Sequence, residues 1–224
     1  TTTTKLPPFH LSAPPETDIW RKPPSHNTFN APTHPPHPDT SPLPTFQRAK
    51  ISFALPPAAQ LRQYDQAGLL LHLTKPDHQS KWIKSGIEFY HGKPYVATVG
   101  CDAWADWSLM PMPADSLDET DTGTAAGGAG GHDSNGRPRA TIEAKRERDA
   151  LGKSLWIYYI VKDGEGREVQ RLPIREVNWV FAEEEGWAVG VAGYVCRPTK
   201  LGGSETEDDG EVLEVEFEDG LEIE

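Results

Sequence analysis

The chain has 224 residues, 21 of them proline and 20 glycine, a balance that favours turns and short strands over long helices. Its formal net charge of −12 is concentrated at one end: residues 201–224 hold 11 acids and no base, leaving 23 acids against 22 bases in the first 200. With no basic stripe, no apolar run long enough to cross a bilayer and an acidic end that an anionic surface repels, neither nucleic acid nor membrane is expected as a partner.

Residues 1–45 carry 12 of the prolines, many of them paired, as in Pro7-Pro8 and Pro23-Pro24. Proline fixes φ and lacks a donor, which rules out helix and central strand here. Phe9, Ile19, Trp20 and Phe29 nevertheless argue against disorder. The segment is expected to dock in extended form on a body spanning 46–224, with the THPPHPD stretch loose.

From Ala49 the pattern becomes short alternating strands between turn signals. Ile51, Phe53 and Leu55 alternate. In DQAGLLLHL, Ala67, Leu69, Leu71 and Leu73 form one side, and Gln66, Gly68, Leu70 and His72 the other. WIKSGIEFY puts Ile83, Ser85, Ile87 and Phe89 on a core face, and Trp82, Lys84, Gly86, Glu88 and Tyr90 on the opposite one. HGKP then turns the chain into YVATVG. A strand near Trp107–Met110 precedes a glycine-rich insertion, about 111–138, that reads as a flexible loop rather than a phosphate cradle.

Alternation resumes in ATIEAKRE and SLWIYYIVKD, and a turn with Asp163-Gly164 leads into REVQRLPIREV. NWVFA and WAVGVAGYVC read as the next two strands. In VLEVEFEDGLEIE, Leu213, Val215 and Phe217 point inward while Glu214, Glu216 and Glu218 point outward, the pattern of a charged edge strand. Ten or more strands with almost no helix predict an all-β fold, a two-sheet antiparallel sandwich of jelly-roll type. Cys101 and Cys196 make no disulfide framework or metal spacing. No metal or other cofactor is expected, and no basic start with an apolar core marks a signal peptide, so a cytoplasmic protein is expected.

The blocks YDQAGLLLHL, WIKSGIEFYHGKPYVATVG, DWSL and WAVGVAGYVCRPT resemble, in order, the fungal regulation-of-enolase family, over about Trp20 to the chain end. The resemblance implies a concanavalin A-like lectin/glucanase fold and a cytoplasmic fungal protein, with a role in regulating enolase and carbon metabolism suggested for one branch of the family. The glycine-rich insertion is not expected to be shared.

On the residues themselves, the charged and aromatic face of WIKSGIEFY suits a concave groove for a carbohydrate or sugar-like metabolite. Trp82, Tyr90, Trp104, Trp107, Tyr158 and Tyr159 supply rings. Asp65, Gln66, Lys84, Glu88 and Arg146 supply directional polar groups. If Gly68 shares that face, it leaves room for a ligand. Hydrolysis would need Glu88 plus a carboxylate from elsewhere, with Asp65, Asp106 and Glu143 as candidates. Lys84 on the same face is expected to depress Glu88 and so favour an acceptor over a general acid. A protein partner, met through an edge or the acidic end, is the remaining alternative. So is a plain charge ladder covered by the proline-rich segment.

Overall fold

A computed structural model describes residues 3–113, 131–200 and 211–224. Within them the chain forms, in order, β1 (Thr4–Leu6), β2 (Phe9–Ala13), β3 (Ile19–Lys22), β4 (His26–Phe29), β5 (Thr33–His34), β6 (Thr40–Pro42), β7 (Arg48–Ala54), β8 (Gln66–Thr74), β9 (Lys81–Tyr90), β10 (Lys93–Cys101) and β11 (Ala105–Pro111). There follow β12 (Arg139–Arg148), β13 (Lys153–Lys162), β14 (Glu168–Val177), β15 (Ala188–Cys196), β16 (Leu213–Phe217) and β17 (Leu221–Ile223).

These strands build the expected antiparallel sandwich. One sheet runs β1-β17-β7-β12-β13-β14, with β16 joining β7 to β2; the other runs β11-β10-β9-β8-β15-β5, with β6 also on β15. Period-two alternation puts Leu69, Leu71, Ile83, Ile87 and Phe89 of the second sheet against Ile51, Phe53, Ile142, Ile157 and Phe217 of the first in one core. The core side predicted for WIKSGIEFY is the side that packs there.

The proline-rich segment enters the sheets as short strands. β1 pairs with β17, and β2 pairs with β16 along all five residues. The THPPHPD stretch, expected to be loose, begins in β5, where Thr33 and His34 pair with Tyr194 and Gly193. β3 and β4 form a separate hairpin. Its Ile19 inserts on the outer face of the second sheet among Leu70, Trp82, Val99 and Tyr194, a smaller second apolar cluster.

Two local readings change. NWVFA is a succession of turns, not a strand: the Ala182 amide donates to the Trp179 carbonyl, and Val180 and Phe181 are buried. A short apolar run cannot distinguish a strand from a plug closing the end of a sandwich. β16 is no edge strand, because β2 and β7 flank it. The C-terminal acids lie in ladders with the bases of neighbouring strands. Glu222 meets Lys50 at 3.2 Å, Glu224 meets Arg48 at 2.6 Å, Glu218 meets Arg139 at 2.7 Å and Asp219 meets Lys162 at 2.6 Å. Charge segregated along the chain is thus interleaved across the sheet. Most of the glycine-rich insertion, 114–130, lies outside the described residues, as do 201–210.

Candidate functional site

The site grows from one register. Across β8 and β9, Gln66 faces Glu88, Gly68 faces Gly86, Leu70 faces Lys84 and His72 faces Trp82. The glycines are there because the strands approach closely: a Cβ on Gly86 would stand 1.9 Å from the Ala67 carbonyl oxygen and 2.7 Å from the Gly68 Cα. Lys84 stands two residues from Gly86 on the same face of β9. Its ammonium donates to Gln66 Oε1 at 2.7 Å and lies 5.9 Å from the Tyr194 ring, which is rooted opposite Gly68. The glycines therefore serve the close approach of the two strands, a Cβ at either position meeting backbone, and do not open added room for a ligand.

Above this floor is a cavity of about 440 Å³. Gln66, Lys84, Glu88, Val99 and Trp107 line it from the sheet; Asp18, Trp20 and Lys22 line it from the β3–β4 hairpin and the residue before it; Tyr64 and Pro198 close its rim. Trp20 meets Trp107 edge-on at 6.5 Å, and Tyr90 bridges Trp107 (5.3 Å) and Tyr64 (5.8 Å). The cavity thus has aromatic walls and one polar side. There Asp18 Oδ1 accepts from the Ile19 amide at 2.7 Å and lies 3.4 Å from both Lys84 Nζ and Gln66 Nε2.

Glu88 is 5% exposed, and its Oε2 accepts from Trp107 Nε1 at 3.1 Å. Burial pushes its carboxyl up to about 7, against the opposing pull of Lys84, with Asp18 adding to the rise. The expectation that Lys84 would depress Glu88 is corrected. Lys84 is itself engaged by Asp18 and Gln66, so its charge offsets only part of the desolvation cost.

Gln66, Lys84, Glu88 and Trp107 converge on the cavity, and Tyr90 backs its ring wall. The remaining candidates lie elsewhere. Trp82 is fully buried beneath the hairpin cluster. Trp104 sits exposed in the β10–β11 turn. Asp65 is fully buried in a two-pronged pair with Arg197, at 3.1 and 2.8 Å, and also accepts from the Arg62 amide at 2.8 Å. It clamps the start of β8 to the end of β15, and so positions Gln66 and Pro198 without lining the cavity.

Arg146 plugs the sandwich end, donating to the Phe46 and Leu43 carbonyls at 2.7 Å, pairing with Glu184 and lying 3.8 Å over the Phe181 ring. Glu143 belongs to the other sheet, held between Arg48 and Arg171. Asp106 pairs with Arg175 at 2.6 Å. Tyr158 is also on the other sheet, stacked with Trp156, and Tyr159 is buried in the core. None of Asp65, Asp106 and Glu143 lines the cavity with Glu88; the carboxylate that does is Asp18. The reading of single strands missed it because Asp18 and Trp20 sit in the proline-rich segment, 66 residues from Lys84 in the case of Asp18. The local signal was an acid two residues before a tryptophan in a stretch otherwise poor in both.

Residues 3–122, which include most of the cavity lining, match the family described as "Protein of unknown function (DUF1349)". An uncharacterized protein of Emericella nidulans is 44% identical over 195 residues, covering 87% of this chain and 80% of that protein. A crystal structure of a functionally unknown protein from Saccharomyces cerevisiae aligns with a TM-score of 0.54 at 17% identity, covering 98% of this chain and 94% of the other; at that identity the likeness speaks for the fold alone. The chain belongs to the DUF1349 family.

Proposed function

We propose that this DUF1349 protein binds a carbohydrate or sugar-like metabolite in the cavity beneath the β3–β4 hairpin. One observation carries the reading: the rings of Trp20, Trp107 and Tyr64 and the polar wall of Gln66, Lys84 and Glu88 share a single cavity of about 440 Å³. Rings that stack on sugar faces, with buried groups that orient hydroxyls, are what carbohydrate recognition requires. The resemblance to fungal regulation-of-enolase proteins, with their concanavalin A-like fold, would set such binding in the control of carbon metabolism inside the cell. The test is a thermal-shift screen against mono- and oligosaccharides. A ligand that raises the midpoint of wild type but not of Trp107→Ala supports the cavity as the site; no shift with any sugar removes the reading.

A second reading has its own observation. A carboxyl held near neutrality can deliver a proton, and Asp18 supplies a second carboxylate in the same cavity, so Glu88 suits a general acid in glycoside cleavage. Release of the aglycone from aryl glycosides by wild type, abolished in Glu88→Gln, would establish it. Asp219, Glu222 and Glu224 are paired with bases of the sheet, while residues 201–210, on which a docking role for the acidic end would rest, lie outside the described residues.

A further inference from the structure

The polar wall of the cavity has unspent hydrogen-bonding capacity of two opposite kinds. An ammonium has three N–H donors. Lys84, 2% exposed, directs one to Gln66 Oε1 at 2.7 Å and another toward Asp18 Oδ1 at 3.4 Å, which leaves one for a ligand. Glu88 has one oxygen bonded to Trp107, while Oε1 has no hydrogen bond among the described residues. With Glu88 ionised, a group that satisfies both must accept from the lysine and donate to the carboxylate. Carbonyls, carboxylates and phosphates only accept, and ammonium groups only donate; a hydroxyl does both.

Charge narrows the choice further. The two acids of the lining, Asp18 and Glu88, are matched by two bases, Lys84 and Lys22, with Lys84 already paired to Asp18, so a neutral ligand leaves the balance intact whereas an anion or a cation brings a charge with no free partner. We propose that the ligand of this cavity is a neutral polyol, one of whose hydroxyls bridges Lys84 and Glu88, and that sugar phosphates and uronic acids are excluded. This rests on the carbohydrate-binding reading above and adds the charge class of the ligand.

A pH dependence follows, because a hydroxyl that donates to Glu88 favours its ionised form. The titratable and charged groups around Glu88 are Lys84 and Tyr90 on its own strand, Tyr95 directly opposite on β10, Asp18 and Lys22 from the hairpin side, Tyr64 on the rim, and Tyr194 and Cys196 from β15. His91 lies beyond Tyr90, 4.2 Å from its ring. Burial pushes Tyr194 and Cys196 above their ordinary values, so both stay protonated while Glu88, with its carboxyl at about 7, titrates. A neutral ligand that requires ionised Glu88 then binds roughly tenfold more tightly at pH 8 than at pH 6, in proportion to the competent fraction. An anionic ligand would show the reverse trend.

The experiment is calorimetric titration of the full chain at pH 6 and pH 8 with glucose, maltose and sorbitol, set against glucose 6-phosphate and glucuronate. The expected result is binding of a neutral compound, tighter at pH 8, with a buffer-dependent heat that reports proton release, and a pH-independent affinity in Glu88→Gln. Preference for an anionic sugar, or equal affinity of wild type at both pH values, overturns this inference and leaves carbohydrate binding standing. If no compound binds at either pH, both fall together. The decisive comparison uses wild type alone, so it does not depend on any variant folding.

Discussion

Glu88 and Asp65 are both carboxylates next to a base, yet they are built for opposite ends. Asp65 receives a two-pronged guanidinium and a backbone amide, which hold it rigidly, whereas Glu88 receives one indole donor and keeps an oxygen available. Glu88 is therefore expected to cost stability when ionised. Its carboxyl titrates near 7 in the folded chain and near the ordinary 4.5 in the unfolded one, so between those values the folded state holds the extra proton. The contribution of Glu88 to stability should be greatest below about 4.5, fall as pH rises toward 7 and then level off, by at most about 3 kcal/mol. Urea unfolding at pH 5 and 8 checks this: the stability of Glu88→Gln relative to wild type should be markedly higher at pH 8 than at pH 5. For Asp65 the prediction is different in kind. Arg197→Met strands a fully buried carboxylate and should cost about 3–5 kcal/mol in the same assay near neutral pH.

At the level of elements, the β8–β9 register and the β3–β4 hairpin together make the cavity. The glycine pair lets the two strands close up, and the clash a Cβ would bring is with backbone, which no rotamer change relieves. Gly86→Ala should lower stability by about 1–3 kcal/mol, read from the urea midpoint. The hairpin is anchored rather than loose. Ile19 is fully buried among Trp82, Tyr194 and Leu70, and Arg21 donates to the Ser80 carbonyl at 3.0 Å. Ile19→Ala should cost about 2–5 kcal/mol and weaken sugar binding, since Asp18 and Trp20 flank it. A sugar response unchanged in a folded Ile19→Ala protein would separate the hairpin from the site. Both strands of the register were legible in their alternation. The hairpin was legible only as aromatic residues among prolines, because its partners are a sheet face rather than a neighbouring strand.

Across the whole molecule, the proline-rich start and the acidic end meet as strands of one sheet, through β1 with β17 and β2 with β16. The amides of β2 that face β16 should therefore exchange with solvent as slowly as those of β16, at the rate of global unfolding; fast exchange at Leu11 and Ala13 beside slow exchange at Val215 would show a separable arm. By itself, the sequence determined the fold class, the two faces of β9 and the strand that carries Lys84 and Glu88, because a period of two is a local property that side chains cannot hide. Tertiary structure alone decided which charges meet. Asp18 reaches Lys84, Arg197 closes on Asp65 across 132 residues, and the acids of the chain end find Arg48, Lys50 and Arg139. It also decided how tightly Glu88 holds its proton, since that depends on its depth of burial and on the charge of Asp18 far away in the chain, and no spacing along one strand records either.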